Sequence, residues 1–152
     1  MHNKILKPLL LSLGLILFSN VQAESLVYAA YQGNIETVKL LLESGDDINR
    51  LQGMQNERAS ALHFAVRGNH PEIARLLIEQ GARVDIRDVN DLTPLHNAAW
   101  SGDMEMVKLL IESGADIRAT SNDGRTPLSC AQRNNQYDTA NFIRTRLTSN
   151  SN

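Results

Sequence analysis

The strongest constraint on this chain is a pattern of residues that recurs with a fixed period. One copy begins Ser-Ala-Leu-His-Phe-Ala at residues 60–65, and the next begins Thr-Pro-Leu-His-Asn-Ala at residues 93–98. His63 and His96 are 33 residues apart, and the apolar positions after them recur in the same register. A short unit of this kind cannot bury its apolar face alone, so the period predicts a stack of units that cover one another.

The residues within one period show which kind of repeat it is. The second copy reads Thr-Pro-Leu-His at residues 93–96, then Ala-Ala at 98–99, then Leu-Leu-Ile-Glu-Ser-Gly-Ala at 109–115. At this period the pattern resembles the ankyrin repeat. The resemblance covers nearly all of the chain after residue 24. It implies an all-α fold, an α-solenoid of four ankyrin-like helix-turn-helix repeats with short hairpin loops.

The resemblance also divides the chain. The expected repeats are at about residues 24–56, 57–89, 90–122 and 123–148, followed by a tail at 149–152. The first repeat is the N-terminal cap, because no hairpin segment precedes Leu26. In the fourth repeat we expect the second helix from about Tyr137 to Leu147, and its outward positions are polar, as a terminal repeat requires.

Local signals within the repeats predict where helices start and turn. Asn34 is a suitable cap for a helix at residues 35–43, and Gly33 before it permits a positive φ. Asn69 replaces that glycine in the second repeat, and Asp91 replaces the usual glycine of the hairpin turn in the third. Asn tolerates the left-handed region better than most residues, so we expect a mild effect at position 69.

The first 23 residues have the three parts of a secretory leader. Lys4 and Lys7 form a positive region, residues 9–18 are apolar, and Val-Gln-Ala at 21–23 is a small-residue cleavage motif. The apolar run is shorter than the roughly 20 residues that a membrane span needs. We therefore expect a signal peptide at residues 1–23, cleaved after Ala23, a periplasmic or secreted protein, and no stable membrane insertion after cleavage. An uncleaved anchor is the alternative.

Charge and cysteine content narrow the classes of partner. Without Lys4 and Lys7 the chain has 13 basic and 17 acidic side chains, a formal charge of −4. Nucleic-acid-binding proteins usually carry basic patches, so we expect no nucleic-acid partner. Cys130 is the only cysteine, which excludes a disulfide within the chain. We expect this thiol to be buried or inert, and the alternative is an intermolecular pair.

The first hairpin loop is longer than the others. Leu26 and Leu62 are 36 residues apart, whereas Leu62 and Leu95 are 33 apart. The three extra residues fall at about 51–55. Insertions in repeat proteins map to loops, often on the binding face. A tolerated surface insertion remains the alternative, since added loop length costs little free energy.

Few residues suggest catalysis. His63, His96 and Cys130 invite a thiol or metal site, but in ankyrin repeats a histidine at this position is structural and bonds to the Thr of the turn. Ser60 and Thr93 stand three residues before the two histidines, as that role requires. The loop carboxylates Asp46, Asp47, Asp85, Asp88 and Asp116 form no calcium-loop pattern and are interpreted as solvated charge. We expect no catalytic residue, no metal and no cofactor.

Aligning the repeats brings out two columns in the first helices that vary among ankyrin repeats and usually face the concave surface. One column holds Tyr28, Phe64, Asn97 and Cys130, and the other holds Tyr31, Arg67, Trp100 and Arg133. Trp, Tyr and Arg dominate interface energetics. The predicted partner-binding residues are Tyr28, Tyr31, Phe64, Arg67, Asn97, Trp100 and Arg133. The alternative is internal stabilisation, with Arg67 wedged between Tyr31 and Trp100 as a cation–π ladder.

Together these features predict a monomeric, exported, non-catalytic module that binds a protein partner through its concave face and finger loops. Its role would be that of a periplasmic accessory, protective or immunity factor. One alternative is a secreted effector that binds a host protein. The other is a thiol- or metal-dependent redox or enzymatic factor that uses Cys130 and His96.

Overall fold

The structure is a computed structural model that describes residues 25–53 and 58–149. The predicted leader lies outside these residues. The described part contains eight helices and no strand. The helices are α1 Leu26–Gln32, α2 Ile35–Glu43, α3 Ala61–Arg67, α4 Pro71–Glu79, α5 Pro94–Ser101, α6 Met104–Glu112, α7 Pro127–Arg133 and α8 Tyr137–Ser149. They form four consecutive pairs, which confirms the predicted all-α solenoid.

The helices stack in two rows. The first helices of the pairs, α1, α3, α5 and α7, pack successively against one another, and α2, α4 and α6 form the second row. One apolar core runs through all four pairs, from Leu26 in α1 to Ile143 in α8. Each unit is therefore completed by its neighbours. None of the helices that the structure describes is both long and apolar enough to cross a membrane.

The turn inside each pair needs a residue in the left-handed region. Gly33 and Gly102 supply it with φ of 79° and 78°. Asn69 and Asn135 occupy the same place with φ of 57° and 58°. Asn is among the few other residues that visit this region at low cost, and Asn69 takes the left-handed conformation expected at this turn. Asn34 also caps α2 as expected, because its Oδ1 accepts the Thr37 amide at 3.1 Å.

Adjacent fingers, the hairpin loops before α3, α5 and α7, are joined through the backbone. In the first finger, Gln52 and Ala59 exchange two N–H···O bonds of 2.9 Å. The Val89 amide of the second finger donates to the Arg58 carbonyl at 3.2 Å, and the Asn122 amide of the third donates to the Asn90 carbonyl at 3.2 Å. The predicted insertion at about 51–55 lies partly outside the described residues.

The last helix is longer than expected. We predicted an end at about Leu147, but α8 continues to Ser149. The hydroxyls of Thr148 and Ser149 donate to the carbonyls of Thr145 and Arg146 at 2.9 and 3.1 Å. Such bonds back to the preceding turn are available to a Thr or Ser inside a helix, and propensity alone does not foresee them.

Candidate functional site

His63 connects two repeats from a fully buried position. Its Nδ1 lies 3.3 Å from the Ser60 amide nitrogen and 2.9 Å from the Ser60 Oγ. Its Nε2 lies 3.0 Å from the carbonyl oxygen of Leu92, in the next finger. Because Nδ1 faces an amide N–H, we assign the neutral tautomer in which Nε2–H donates to Leu92.

His96 repeats this arrangement one unit later. Its Nδ1 accepts the Thr93 amide N–H at 3.1 Å, and its Nε2 lies 3.0 Å from the carbonyl oxygen of Arg125. Both nitrogens of both rings are therefore engaged, which confirms the structural role predicted for these histidines. Burial lowers the pKa of His63 from 6.5 to about 4 and lowers the pKa of His96 as well. The neutral rings hold adjacent repeats together.

Cys130, in α7, is buried, as expected. It lines a pocket of about 210 Å³ together with His96, Asn97 and Trp100. Burial raises the pKa of its thiol. The thiol and His96 are thus neighbours, but both nitrogens of the imidazole already have partners and cannot accept the thiol proton. Among the described residues, no group of three or more His, Cys, Asp or Glu side chains is placed to hold a metal ion.

The predicted partner-binding residues share one surface but differ in exposure. Tyr28, Tyr31 and Trp100 expose 40%, 44% and 45% of their area on the row of first helices. Arg133 is exposed on the same row, and Asn97 is half-buried. Phe64 is only 6% exposed, so it supports this surface from beneath.

Arg67 makes its contacts within the protein. Its Nη2 lies 3.3 Å from Oδ2 of Asp88, and its guanidinium carbon lies 5.6 Å from the centre of the Phe64 ring. The Tyr31 ring packs edge-to-face against the Phe64 ring, with the two ring centroids 6.3 Å apart. Arg67 thus has a cation–π contact with Phe64, the aromatic residue of its own helix.

The interpretation of the loop carboxylates as solvated charge is wrong for Asp88. It is only 6% exposed. Its Oδ1 accepts the amide N–H groups of Asn90 and Leu92 at 2.8 and 3.0 Å, and its Oδ2 faces Arg67. A carboxylate that accepts backbone amides fixes the shape of a turn. Asp88 therefore organises the second finger, and its position in a loop was a poor guide to its burial.

A second pocket lies at the N-terminal end of the row, with a volume of about 430 Å³. Aromatic side chains of α1 and α3 form one side of it, and the first finger forms the other. Its lining includes Tyr28, Tyr31, Leu51, Gly53, Arg58 and Phe64. Repeat alignment identified the aromatic residues but missed Arg58. The columns compared lie in the first helices, whereas Arg58 lies in the finger, at the place of Asp91 and Gly124 in the later repeats.

Comparison with known families agrees with this architecture. The family described as ankyrin repeats (3 copies) matches residues 2–88, 26–121 and 85–150. The chain belongs to the ankyrin-repeat family. Ankyrin repeats are protein–protein interaction modules, and the repeat fold itself is generally not enzymatic.

Similarity to individual ankyrin-repeat proteins is confined to part of each chain. The E3 ubiquitin-protein ligase Ufd4 of Drosophila melanogaster is 38% identical over 71 residues, which are 47% of this chain and 2% of that protein. Cortactin-binding protein 2 of Rattus norvegicus is 43% identical over 68 residues, 44% of this chain and 4% of its own. NF-kappa-B inhibitor alpha of Sus scrofa is 37% identical over 62 residues, 41% of this chain and 20% of its own. The ankyrin match thus spans a small part of each relative.

Proposed function

We propose that this protein is an exported, non-catalytic module that binds a protein partner through the face formed by its first helices and fingers. The observation that carries the proposal is the exposure of Tyr28, Tyr31 and Trp100 on this one face. Large aromatic side chains are enriched among the residues that dominate binding energy. NF-kappa-B inhibitor alpha and cortactin-binding protein 2 are, by name, proteins that act on or bind another protein, and both share the repeat.

Charge supports a partner with acidic or mixed character at the C-terminal half of this face. Arg133 is exposed beside Trp100 in register and makes no ion pair within the described residues. Arginine binds carboxylates in a bidentate manner and stacks on aromatic rings. Arg67 is less suitable for this task, because it already contacts Asp88 and Phe64.

The leader-like first 23 residues support export, and we propose a periplasmic accessory, protective or immunity role for a monomer that does not bind nucleic acid. A secreted effector that binds a host protein is the second version. Cell fractionation distinguishes them. Protein in the periplasmic fraction with its N-terminus at Glu24 supports the first version, and protein in the spent medium supports the second. An intact leader at the membrane would contradict both.

The test of partner binding is affinity capture with three forms of the protein. Trp100→Ala/Arg133→Ala removes exposed groups of the first-helix face. Tyr137→Ala is the matched control, because Tyr137 is 69% exposed but lies at the start of α8, outside the row of first helices. We expect a partner to be retained by the wild type and the control and lost by the double variant, with unchanged melting temperatures. Equal retention by all three forms would contradict the proposed face. Arg67→Ala is unsuitable, since it leaves the buried Asp88 without its ion pair.

A further inference from the structure

In the part of the chain that the structure describes, one edge of the first finger has no hydrogen-bond partner. Gln52 directs both its amide N–H and its carbonyl towards Ala59. Because successive residues of an extended chain point these groups to opposite sides, Leu51 and Gly53 direct theirs away from Ala59. Within the described residues, the backbone groups of Leu51 and Gly53 make no hydrogen bond. The edge therefore offers two donors and two acceptors in the spacing of a strand.

The opposite side of the same finger is already paired. The carbonyl of Arg58 accepts the Val89 amide of the second finger, and the second finger is linked to the third in the same way through Asn90 and Asn122. Among the described residues, the row of fingers is thus continuous in one direction and ends at Leu51–Gly53 in the other. An unpaired edge is a template for another extended segment.

The open edge borders the aromatic pocket. Leu51 and Gly53 line the 430 Å³ pocket together with Tyr28, Tyr31 and Phe64. Volumes of roughly 300–1,000 Å³ are usual for pockets that bury small ligands, so this one is large enough for one aromatic or long aliphatic side chain. In strand addition, backbone bonds provide affinity, and pockets for alternate side chains provide specificity. The Leu51–Gly53 edge can supply the backbone bonds, and the adjacent pocket can hold one side chain of the added strand.

A cation at the pocket favours one kind of ligand charge. Arg58 lines the pocket, is exposed, and makes no ion pair with any described residue. None of the described lining residues is acidic. A ligand carboxylate beside the apolar anchor would therefore meet a guanidinium that no described residue pairs, whereas a ligand cation would be repelled.

We propose that the first finger binds an extended peptide segment of the protein partner by strand addition to Leu51–Gly53. One aromatic or long aliphatic side chain of the segment enters the pocket of Tyr28, Tyr31 and Phe64. A carboxylate two residues away, on the same face of the segment, pairs with Arg58. This inference rests on the proposed function, and it names the form in which part of the partner is recognised.

The first part of the test uses a defined peptide probe and the protein without substitutions. The probe is a fluorescein-labelled seven-residue peptide of alternating Thr and Val, with Phe at its centre and Glu two residues later. Residues two apart share a face of an extended chain. The protein is purified after expression of its full sequence, and its N-terminus is determined by mass spectrometry. Fluorescence polarisation measures binding.

Two N-methylated peptides make the test specific for strand addition. One carries N-methyl groups on the amides of one edge, and the other carries them on the opposite edge, with all side chains kept. We expect one form to lose at least about ten-fold in affinity and the other to bind normally, because only one edge of the peptide faces Leu51–Gly53. Equal binding of both forms, or equal loss, would show that the backbone edge is not used.

Side-chain changes test the pocket and the cation. Replacing the central Phe of the peptide by Ser should weaken binding about ten-fold or more. Arg58→Gln should weaken the binding of the peptide that carries Glu and should not change the binding of a peptide with Gln in its place. Arg50→Gln, a change outside the pocket, should alter the binding of neither peptide. No saturable binding up to about 1 mM would overturn the proposal. So would a dimer in solution that Gly53→Pro dissociates, since a second copy would then occupy the edge.

Failure of the strand-addition proposal can be distinguished from failure of the proposed function. Trp100→Ala/Arg133→Ala should bind the peptide as the wild type does, because Trp100 and Arg133 lie in other repeats. If the peptide does not bind while partner capture still depends on Trp100, only the proposal of strand addition is wrong. If capture fails while the peptide binds as expected, the edge is a binding site but the Trp100 surface is not.

Discussion

At the scale of single residues, His63 shows how a buried polar group can stabilise a repeat protein. A neutral imidazole has one donor and one acceptor. The acceptor receives the Ser60 amide of its own repeat, and the donor reaches the Leu92 carbonyl of the next. Desolvation by burial lowers the pKa of His63, and the positive charge of Arg67 lowers it further, so the ring stays neutral.

This histidine predicts a loss of stability in mild acid. The pKa of His63 is about 4 in the folded protein and 6.5 in the unfolded chain, so below pH 6.5 only the unfolded state takes up the proton. The stability is complete above pH 6.5 and falls as the pH approaches 4. Linkage gives a loss of about 2 kcal/mol between pH 7 and pH 5 from this group. Urea unfolding at the two pH values measures it.

The matched variant for this prediction is His63→Gln. It should be less stable than the wild type at pH 7 but should lose less stability on going to pH 5. The residual change is expected to come largely from His96, whose pKa is lowered in the same direction. A variant with the full pH dependence of the wild type would show that His63 is not the responsible group.

Cys130 gives a second prediction at this scale. The side chain is buried in α7, and burial raises the pKa of its thiol. Since the thiolate is the reactive form, we expect labelling by a disulfide reagent to be at least about 100-fold slower in the native protein than in guanidinium-unfolded protein. Rapid stoichiometric labelling of the native protein would contradict burial and favour the thiol-dependent alternative.

At the scale of elements, the second finger depends on Asp88. Asp88→Ala removes the acceptor of two backbone amides and leaves Arg67 without this carboxylate. Hydrogen bonds to charged groups contribute about 1.5–3 kcal/mol each, so we expect a destabilisation of at least about 2 kcal/mol by urea unfolding. The third finger supplies the control, because Ser121 accepts the Arg125 amide from the matching place at 3.0 Å.

Asp88→Ser should therefore recover part of the stability that Asp88→Ala loses. A hydroxyl at position 88 can accept the Leu92 amide as Ser121 accepts that of Arg125, but it cannot pair with Arg67. If both variants were as stable as the wild type, the carboxylate would have no role in shaping the finger.

The helices and the second finger show which features could be predicted from the sequence and which could not. Helix starts, the cap at Asn34 and the turn at Asn69 depend on residues close in the chain, and these were predictable. Arg67 and Asp88 are 21 positions apart, and their contact depends on how a finger folds back over its helix. A repeat column places Arg67 on a helix face but does not say which neighbour its long side chain reaches.

At the scale of the whole molecule, the two ends of the stack are not equivalent. At the N-terminal end, the Leu51–Gly53 edge of the first finger makes no backbone hydrogen bond with any described residue, and it borders the aromatic pocket. At the other end, Asn134 donates to the Trp100 carbonyl at 2.7 Å, and Thr139 donates to the Gly102 carbonyl at 3.3 Å. These bonds fasten the fourth repeat to the third, and the fourth then presents polar side chains outward. The proposed binding features therefore lie towards the open end and along the row of first helices.

This asymmetry predicts what happens when the fourth repeat is removed. A chain that ends at residue 121 loses the Arg125 carbonyl that His96 uses, and it uncovers the side of α5 that packs against α7. Because repeat stability is roughly a sum of unit and interface terms, we expect the midpoint of thermal unfolding to fall by at least about 5 °C. We also expect self-association in size-exclusion chromatography, since a terminal repeat needs a polar outer face.

A chain that ends at Leu147 is the control for this deletion. It removes the last two residues of α8 but keeps Ile143 in the core and the Leu147 main-chain oxygen that accepts Arg118 at 3.2 Å. It should remain monomeric with a melting midpoint close to that of the full chain. If the longer deletion behaved in the same way, the third repeat would be able to end the stack. The outward polar residues of α8 would then serve some purpose other than capping.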